Sequence, residues 1–504
     1  MPEYTYPGVY IEEIDSGNKP IEGVSTSTVG FLGLAERGPL EPTLVTSFGE
    51  FVRYYGKYVE VDGDTAYLAY AAEGFFQNGG KRCVVGRIAS AAATAQEVVQ
   101  GGWTLKALGP GEWSNRLYYT IIQNPMATNL YTLTLIYFNT DAPDLVNINP
   151  RQVQHSEVFE DITVDETSSS FVEKRVNWVS TLVMVEQTAP GTDPAPVVTL
   201  TQFGGGTAVA GVTLDDFKGD EALPPGQKTG LAALAEVEDV SLLVCPDEHR
   251  FYPAVANLLK SQAENLKYRF AILQSELTPA GSINTWTPSG EGSKYAAFYY
   301  PWVNVVDGTS GKLVPVPPGG HVAGVYARTD TDRGVHKAPA NANVNGIDSL
   351  LAQLNNQQQG IINPKGINAI RYFRGSGNLV WGARTVSSDP DWKYVNVRRL
   401  FIFVEKSIER GTQWVVFENN DEPTWARVRR SVGDFLTRLW MDGMLQGKAK
   451  EEAYFVKCDR TTMTQADIDN GRLICVIGIA PIKPAEFVIF RIGQWTGGVE
   501  VTEQ

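Results

Sequence analysis

Histidine, cysteine and methionine are all scarce in this 504-residue chain, with four, four and six copies. The cysteines, Cys83, Cys245, Cys458 and Cys475, lie far apart in sequence, each among apolar neighbours. They lack zinc-ligand spacing, and a chain of this size does not depend on a disulfide framework. They are expected to be buried free thiols, and no metal is expected. The histidines, His155, His249, His321 and His336, stand in no triad motif; G-x-S-x-G and HExxH are both missing. His321 and His336 flank Arg328-Thr329-Asp330 and make a weak candidate pair, for which a structural role is expected. Phosphate loops are absent as well. Pro225-Gly226-Gln227-Lys228-Thr229 imitates the end of one, but Gln227 parts glycine from lysine, and Gly375-Ser376-Gly377 lacks a third glycine at the right distance. No apolar run approaches the ~20 residues that cross a bilayer. The opening MPEYTYPGVY has neither a basic flank nor an apolar signal core. The chain is therefore expected to fold in its producer's cytoplasm, without direct membrane insertion, and to leave by a route such as lysis. No catalytic residue and no cofactor are expected.

What is present is the composition of an ordinary globular protein, 43% hydrophobic and 20% charged, long enough for two to four domains. The net charge of −14 disfavours a nucleic-acid partner, but it is unevenly spread. Residues 365–440 hold 13 Lys/Arg against 8 Asp/Glu, whereas residues 141–200 hold 3 against 10. A basic segment in an acidic chain marks a surface facing an acidic partner, unless its arginines pair internally.

Taken in order, residues 4–14 read as an extended segment bent at Pro7-Gly8, and Val24–Leu34 as a buried strand. Ser47 and Glu50 form a capping-box pattern that opens a helix ending at Gly56. Asp64 is expected to cap a second helix, TAYLAYAAEGFFQ, followed by a strand over Lys81–Ile88. From 96 to 203 the pattern becomes mainly β, with strand-like runs at 117–122 and 130–138. The α/β alternation then resumes, with strands at 240–245 and 268–273, a helix near 254–265 and a further apolar run at 296–306. The core is therefore discontinuous. Short apolar runs at 379–382 and 400–404 read as buried strands. Over 424–446, Val428, Val432, Phe435 and Leu439 repeat at helical steps, and Arg427, Arg430 and Arg438 fall away from their stripe. A strand is expected at 472–480, and a final one, FVIFRIGQW, at 487–495. Being apolar on both faces, that last strand cannot lie bare on a surface without cost; either its own domain or another chain must cover it.

Several motifs carry a family resemblance. INPKGINAIR (362–371), GNLVWGARTV (377–386) and WKYVNVRRLFIFVE (392–405) resemble the tail sheath proteins of contractile phage tails and phage-like injection devices. So do Pro317-Pro318-Gly319-Gly320, Ala327–Asp330 and Arg333–Asn341 upstream, Phe417–Asn420 and Pro484–Phe487 downstream, and Tyr6–Glu13 at the N-terminus. The resemblance implies a structural subunit of a homo-oligomeric sheath of rings or a helix around an inner tube protein, with baseplate and terminator or cap proteins at its ends. It also implies an α/β fold with an inserted mainly-β outer domain, a C-terminal α+β domain facing the tube, and extended terminal strands exchanged between subunits. On that basis the expected division is an N-terminal arm (1–20), core (21–95 and 204–345), insertion (96–203), sheath domain (346–485) and C-terminal arm (486–504). Val9, Tyr10 and Ile11, with Phe487, Val488, Ile489, Phe490 and Ile492, would link neighbours. Arg427, Arg430 and Arg438 would face the tube. Two other readings remain: a hydrolase related to the subtilisins, whose core the family's resembles, and an adhesive or receptor-binding module using the acidic insertion.

Overall fold

Two six-residue runs, Val29–Leu34 (β1, VGFLGL) and Cys83–Ile88 (β2, CVVGRI), are buried along their whole length and pair in parallel. Continuous apolar runs of this kind suit strands covered on both faces. They begin the central sheet of a computed structural model that describes residues 20–207, 211–278 and 283–490. Leu242–Val244 (β3), Phe270–Gln274 (β4), Ala296–Tyr300 (β5) and Ile367–Phe373 (β6) complete the parallel part, in the order β2-β1-β3-β4-β5-β6. Antiparallel additions close it into nine strands, Thr43–Val45 at one end and Gly377–Val380 with Ala342–Asn343 at the other.

Helices Leu68–Gln77 (α1), Ala254–Leu266 (α2) and Gly319–Arg333 (α3) connect these strands. α1 and α3 touch almost backbone to backbone: a Cβ on Gly320 would lie 2.4 Å from Ala71 Cα, and one on Gly324 2.5 Å from Phe75 O. Only glycine permits that approach.

Between β2 and β3 the chain leaves the sheet and builds a second body. Four antiparallel strands (117–123, 131–138, 153–162, 197–202) and three more (97–100, 103–107, 183–187) enclose their own core, with Trp103, Leu133, Leu135 and Val183 buried. It is fastened to the central sheet by charge: the buried Glu36 carboxylate accepts from Arg116 (2.7 Å) and from the Tyr137 hydroxyl (2.6 Å). Burial alone would raise the Glu36 pKa, but the Tyr137 bond and the Arg116 and Arg37 charges hold it low.

The C-terminal third rests on Val395–Gly411 (α4) and Glu422–Met441 (α5), which share a core of Leu400, Val404, Val428, Val432, Phe435 and Leu439. Asp421 caps α5 by accepting from Thr424 N at 3.1 Å, with Pro423 in the first turn, where its missing N–H costs nothing. A hairpin, Tyr454–Lys457 (β7) with Val476–Ile479 (β8), packs on α5.

Several expectations are corrected here. Residues 400–404 are the middle of α4, not a strand; the run is short because a helix turns its apolar stripe away every few residues. Asp64 does not cap α1, which starts at Leu68; residues 64–66 pair instead with 59–61. The helix is capped from far along the chain, as Asp247 Oδ1 accepts from Tyr67 N at 2.7 Å. The expected run 296–306 is two strands, broken at Pro301. The strand expected over 472–480 is confined to 476–479. In the capping pattern, Ser47 caps its helix through Glu50 N, but the Glu50 carboxylate returns to Thr46 rather than to Ser47.

Candidate assembly interface

The parallel sheet reverses its order between β1 and β3, the place where open α/β sheets bind ligands. Here that crevice is filled by the chain. Asp247 Oδ2 accepts from Leu34 N (2.8 Å), Glu248 Oε1 from Gln274 N (2.7 Å), and Gln274 Oε1 from Gly319 N (2.7 Å). Burial pushes both carboxyls upward.

The histidines do not converge on a reaction site. His321 and His336 lie at and beyond opposite ends of α3, whose 15 residues span about 22 Å. His321 is wholly buried against Gly74, and burial pushes its pKa down to about 4. His249 bonds Asp64 at 2.9 Å and packs edge-on to Tyr67 and Trp302. In the insertion, Ser180 and Thr181 donate to Glu157 directly (2.6 and 2.8 Å), and His155 Nε2 meets both Thr181 and Glu157 at 3.1 Å. A relay needs the acid on the ring nitrogen opposite the nucleophile, so this cluster braces a turn. A cavity of about 470 Å³ beside Tyr252, Lys260, Glu276 and Trp286 contains no histidine. Among the described residues no group of acidic, histidine and cysteine side chains could hold a metal. No described helix is long and apolar enough to cross a membrane.

The built features are instead the roots of the two chain ends, the first held along α4 and the second by residues that precede it in the chain. Residues 21–26 run along α4, over a track of Gly411, Ser407, Phe403 and Arg399. These residues are four apart, so they form one row on the helix surface. Ile21 is fully buried and packs on Gly411, where a Cβ would lie 2.7 Å from Ile21 Cγ1. Phe403 covers Gly23, and Ser407 Oγ accepts from Val24 N at 3.1 Å. Arg399 grips both carboxylate oxygens of Asp330 (2.9 and 2.6 Å) and donates to Thr26 O (2.9 Å).

The other root ends in a clasp. Glu486 receives Arg384 Nε and Nη2, each at 2.7 Å, Asn363 Nδ2 at 2.8 Å and the Tyr394 hydroxyl at 3.0 Å, with Lys393 at 3.5 Å. Burial would raise its pKa, but the Arg384 and Asn363 bonds prevail and hold it at about 2. A folded-state pKa below the ordinary 4.5 stabilises fully above 4.5 and fades as pH falls toward 2. Glu486→Gln is therefore expected to cost up to about 3 kcal/mol at pH 7. In denaturant titrations the gap from wild type should be constant from pH 7 to 5 and close below 4; a gap indifferent to acid would exclude the clasp.

The sequence-predicted residues divide as follows. Val9, Tyr10, Ile11 and Ile492 lie outside the described residues, as does most of the strand expected at 487–495. Phe487, Val488, Ile489 and Phe490 form no strand and are 71%, 68%, 79% and 82% exposed, four bare apolar side chains just past the clasp. Arg427 and Arg430 are exposed on α5; Arg427 pairs with Glu418 (3.0 Å) and stacks over Trp414. Arg438, also exposed, donates to Ile21 O at 2.6 Å, so it serves the N-terminal root. The reading that arginines of 365–440 pair internally holds for Arg384, Arg398 and Arg399. The Glu486 clasp and the α4 track were missed; the regular four-residue spacing of Arg399, Phe403, Ser407 and Gly411 was the available signal.

Comparison with known proteins completes the description. Residues 222–386 match the phage tail sheath protein central domain, and residues 387–494 the phage tail sheath C-terminal domain, together more than half of the chain. The chain belongs to the contractile tail sheath family. This sheath-family chain is 27% identical over 290 residues to a putative prophage major tail sheath protein of Pseudomonas aeruginosa, a match over 55% of this chain and 70% of that one. It is 28% identical to the tail sheath protein of Vibrio phage KVP40 over 34% of its own length, a stretch that spans only 26% of the phage protein. Among solved structures, the contracted helical sheath of the anti-feeding prophage superposes with a TM-score of 0.58 and 25% identity, over 97% of this chain and 99% of that one.

Proposed function

We propose that the protein is the structural subunit of a contractile sheath, which polymerises around an inner tube and shortens to drive it through a target envelope. The observation carrying this reading is the exposed apolar run Phe487–Phe490 leaving a charged clasp, on a domain whose β7–β8 hairpin has no third strand among the described residues. The hairpin also shows apolar surface, with Phe455 49% and Val476 43% exposed. An extended segment from a second copy would satisfy the hairpin's edge amides and cover these side chains together. The roots then act as fixed pivots, while the free ends tether neighbours through the rotations of contraction. Work comes from added contact between subunits in the shortened state rather than from a bound nucleotide; no enzymatic step is involved. The division into arms, core, insertion and tube-facing domain given from the sequence is part of this proposal. So are assembly in the producer cytoplasm, baseplate and terminator or cap partners, and residence in a phage or phage-like particle. Electron microscopy of the purified protein tests it: tubes or rings are expected, and a monomer at every concentration would overturn it.

Exposed Arg427 and Arg430 are proposed to meet an acidic tube, with Arg438 beside them. Replacing all three with Gln confounds tube contact with the Ile21 root, so the Arg427/Arg430 pair is the decisive variant. At ~0.5 kcal/mol per exposed charge, tube-templated assembly should fall several-fold at low salt and converge with wild type near 1 M. Equal yields at low salt would remove the tube from this face.

A further inference from the structure

Cys458 and Cys475, far apart in sequence, are neighbours in the fold. The hairpin register pairs Lys457 with Val476, so the next residues outward, Cys458 and Cys475, stand directly opposite each other. Both lie on the hairpin's inner face, in one cluster with Trp425, Met463 and Leu473. This corrects the expectation of four separate buried thiols: Cys83, Cys245 and Cys458 are buried, but Cys475 is partly exposed. Directly opposed residues of antiparallel strands have Cα atoms ~4.5–5.5 Å apart, within the ~4.4–6.8 Å that a disulfide spans. We propose that Cys458 and Cys475 form an oxidisable dithiol, which closes to an intramolecular disulfide when the protein meets a low-molecular-weight disulfide such as oxidised glutathione.

The two thiols are unequal in the way such a reaction needs. The adjoining Cys458 thiol and the nearby Arg429 guanidinium lower the Cys475 pKa against the opposing effect of burial. The same contact and burial raise that of Cys458. Arg429 is fixed there by its bonds to Glu422 (2.7 Å) and to the Cys458 carbonyl. Cys475, partly exposed and closer to a thiolate, is the attacking sulfur. It displaces one glutathione thiolate and forms a mixed disulfide. Cys458 then loses its proton, attacks the Cys475 sulfur and expels the second glutathione thiolate. Two protein thiols and one glutathione disulfide become one protein disulfide and two glutathiones. The closed loop contains Asp459–Ile474, including the capped turn at Gln465–Asp469. Oxidation thus staples the hairpin at its loop end, independently of what docks on its edges.

The test uses the full-length, unassembled protein under native conditions, equilibrated with oxidised glutathione, alkylated and digested with trypsin, which cuts after Lys457, Arg460 and Arg472. The expected result is one disulfide-linked peptide pair carrying Cys458 and Cys475, with Cys83 and Cys245 still reduced. Cys458→Ser should trap a glutathione adduct on Cys475, while Cys475→Ser should leave Cys458 unmodified. Two findings would each overturn the proposal: wild-type protein with both thiols still alkylatable, or wild-type protein with a lasting glutathione adduct on Cys475. The first means that the pair is shielded, and the second that its geometry bars closure.

Discussion

Deleting residues 487–504 is expected to abolish tube formation while leaving a subunit that unfolds within about 1 kcal/mol of wild type. Phe487, Val488, Ile489 and Phe490 are at least two-thirds exposed, so the described part of the tail contributes little to its own fold. Surface changes of this kind usually stay within ~0.5 kcal/mol per site. For assembly the balance is reversed, because four consecutive apolar side chains in water are a standing cost that burial in a neighbour would relieve at ~1.5–3 kcal/mol each before ordering losses. Ending the chain after Glu486 keeps the clasp with Arg384, Asn363 and Tyr394, which separates the tail's linking role from its anchoring. Deleting residues 1–14 should act the same way, since the contacts with the α4 track among the described residues are made by 21–26. Normal tubes from either truncation, seen by electron microscopy, would end the tether proposal without touching the family assignment.

Much of this was legible in the residues. Apolar runs buried on both faces marked β1 and β2, and the four-three-four stripe of Val428, Val432, Phe435 and Leu439 marked α5, because a single periodicity dominates each segment. The body built by strands within 97–202 is legible as β-rich because the helical period is lost there. What failed was local reading where distant residues decide. Asp64 is a plausible cap by composition, yet Asp247 caps α1 from 180 positions away. FIFV looks like a strand until Arg399, Ser407 and Gly411 extend the window to helical length. The three motifs that carry the family resemblance, at 362–371, 377–386 and 392–405, supply Asn363, Arg384 and Tyr394 to the Glu486 clasp. That their target is the root of the chain's own tail follows only from the fold. The cysteine pair shows the same limit, since no spacing rule connects positions 458 and 475 until the hairpin register is known.

The N-terminal root gives the largest expected effect on stability. Asp330 at the end of α3 and Arg399 on α4 have side chains only 5% and 3% exposed, joined by two parallel bonds of 2.9 and 2.6 Å. Thr26 closes the triangle: its hydroxyl donates to Asp330 Oδ2 at 2.6 Å, and its carbonyl accepts from Arg399. Asp330→Ala would leave a buried guanidinium with one carbonyl partner, and breaking such a pair costs ~3–5 kcal/mol. Replacing both partners, with Asp330→Leu and Arg399→Met, removes the uncompensated charge and should recover most of that loss. The comparison separates two roles the pair could have. If it only stabilises, the double variant should assemble as wild type. If it also aims the N-terminal arm, the double variant should fold well and assemble poorly, because Thr26 loses both of its anchors. Denaturant titration of the unassembled subunit measures the first quantity, and tube yield the second. A single-variant cost below about 1 kcal/mol would mean that water reaches the pair and that the arm root is held by Ile21 and Ser407 alone.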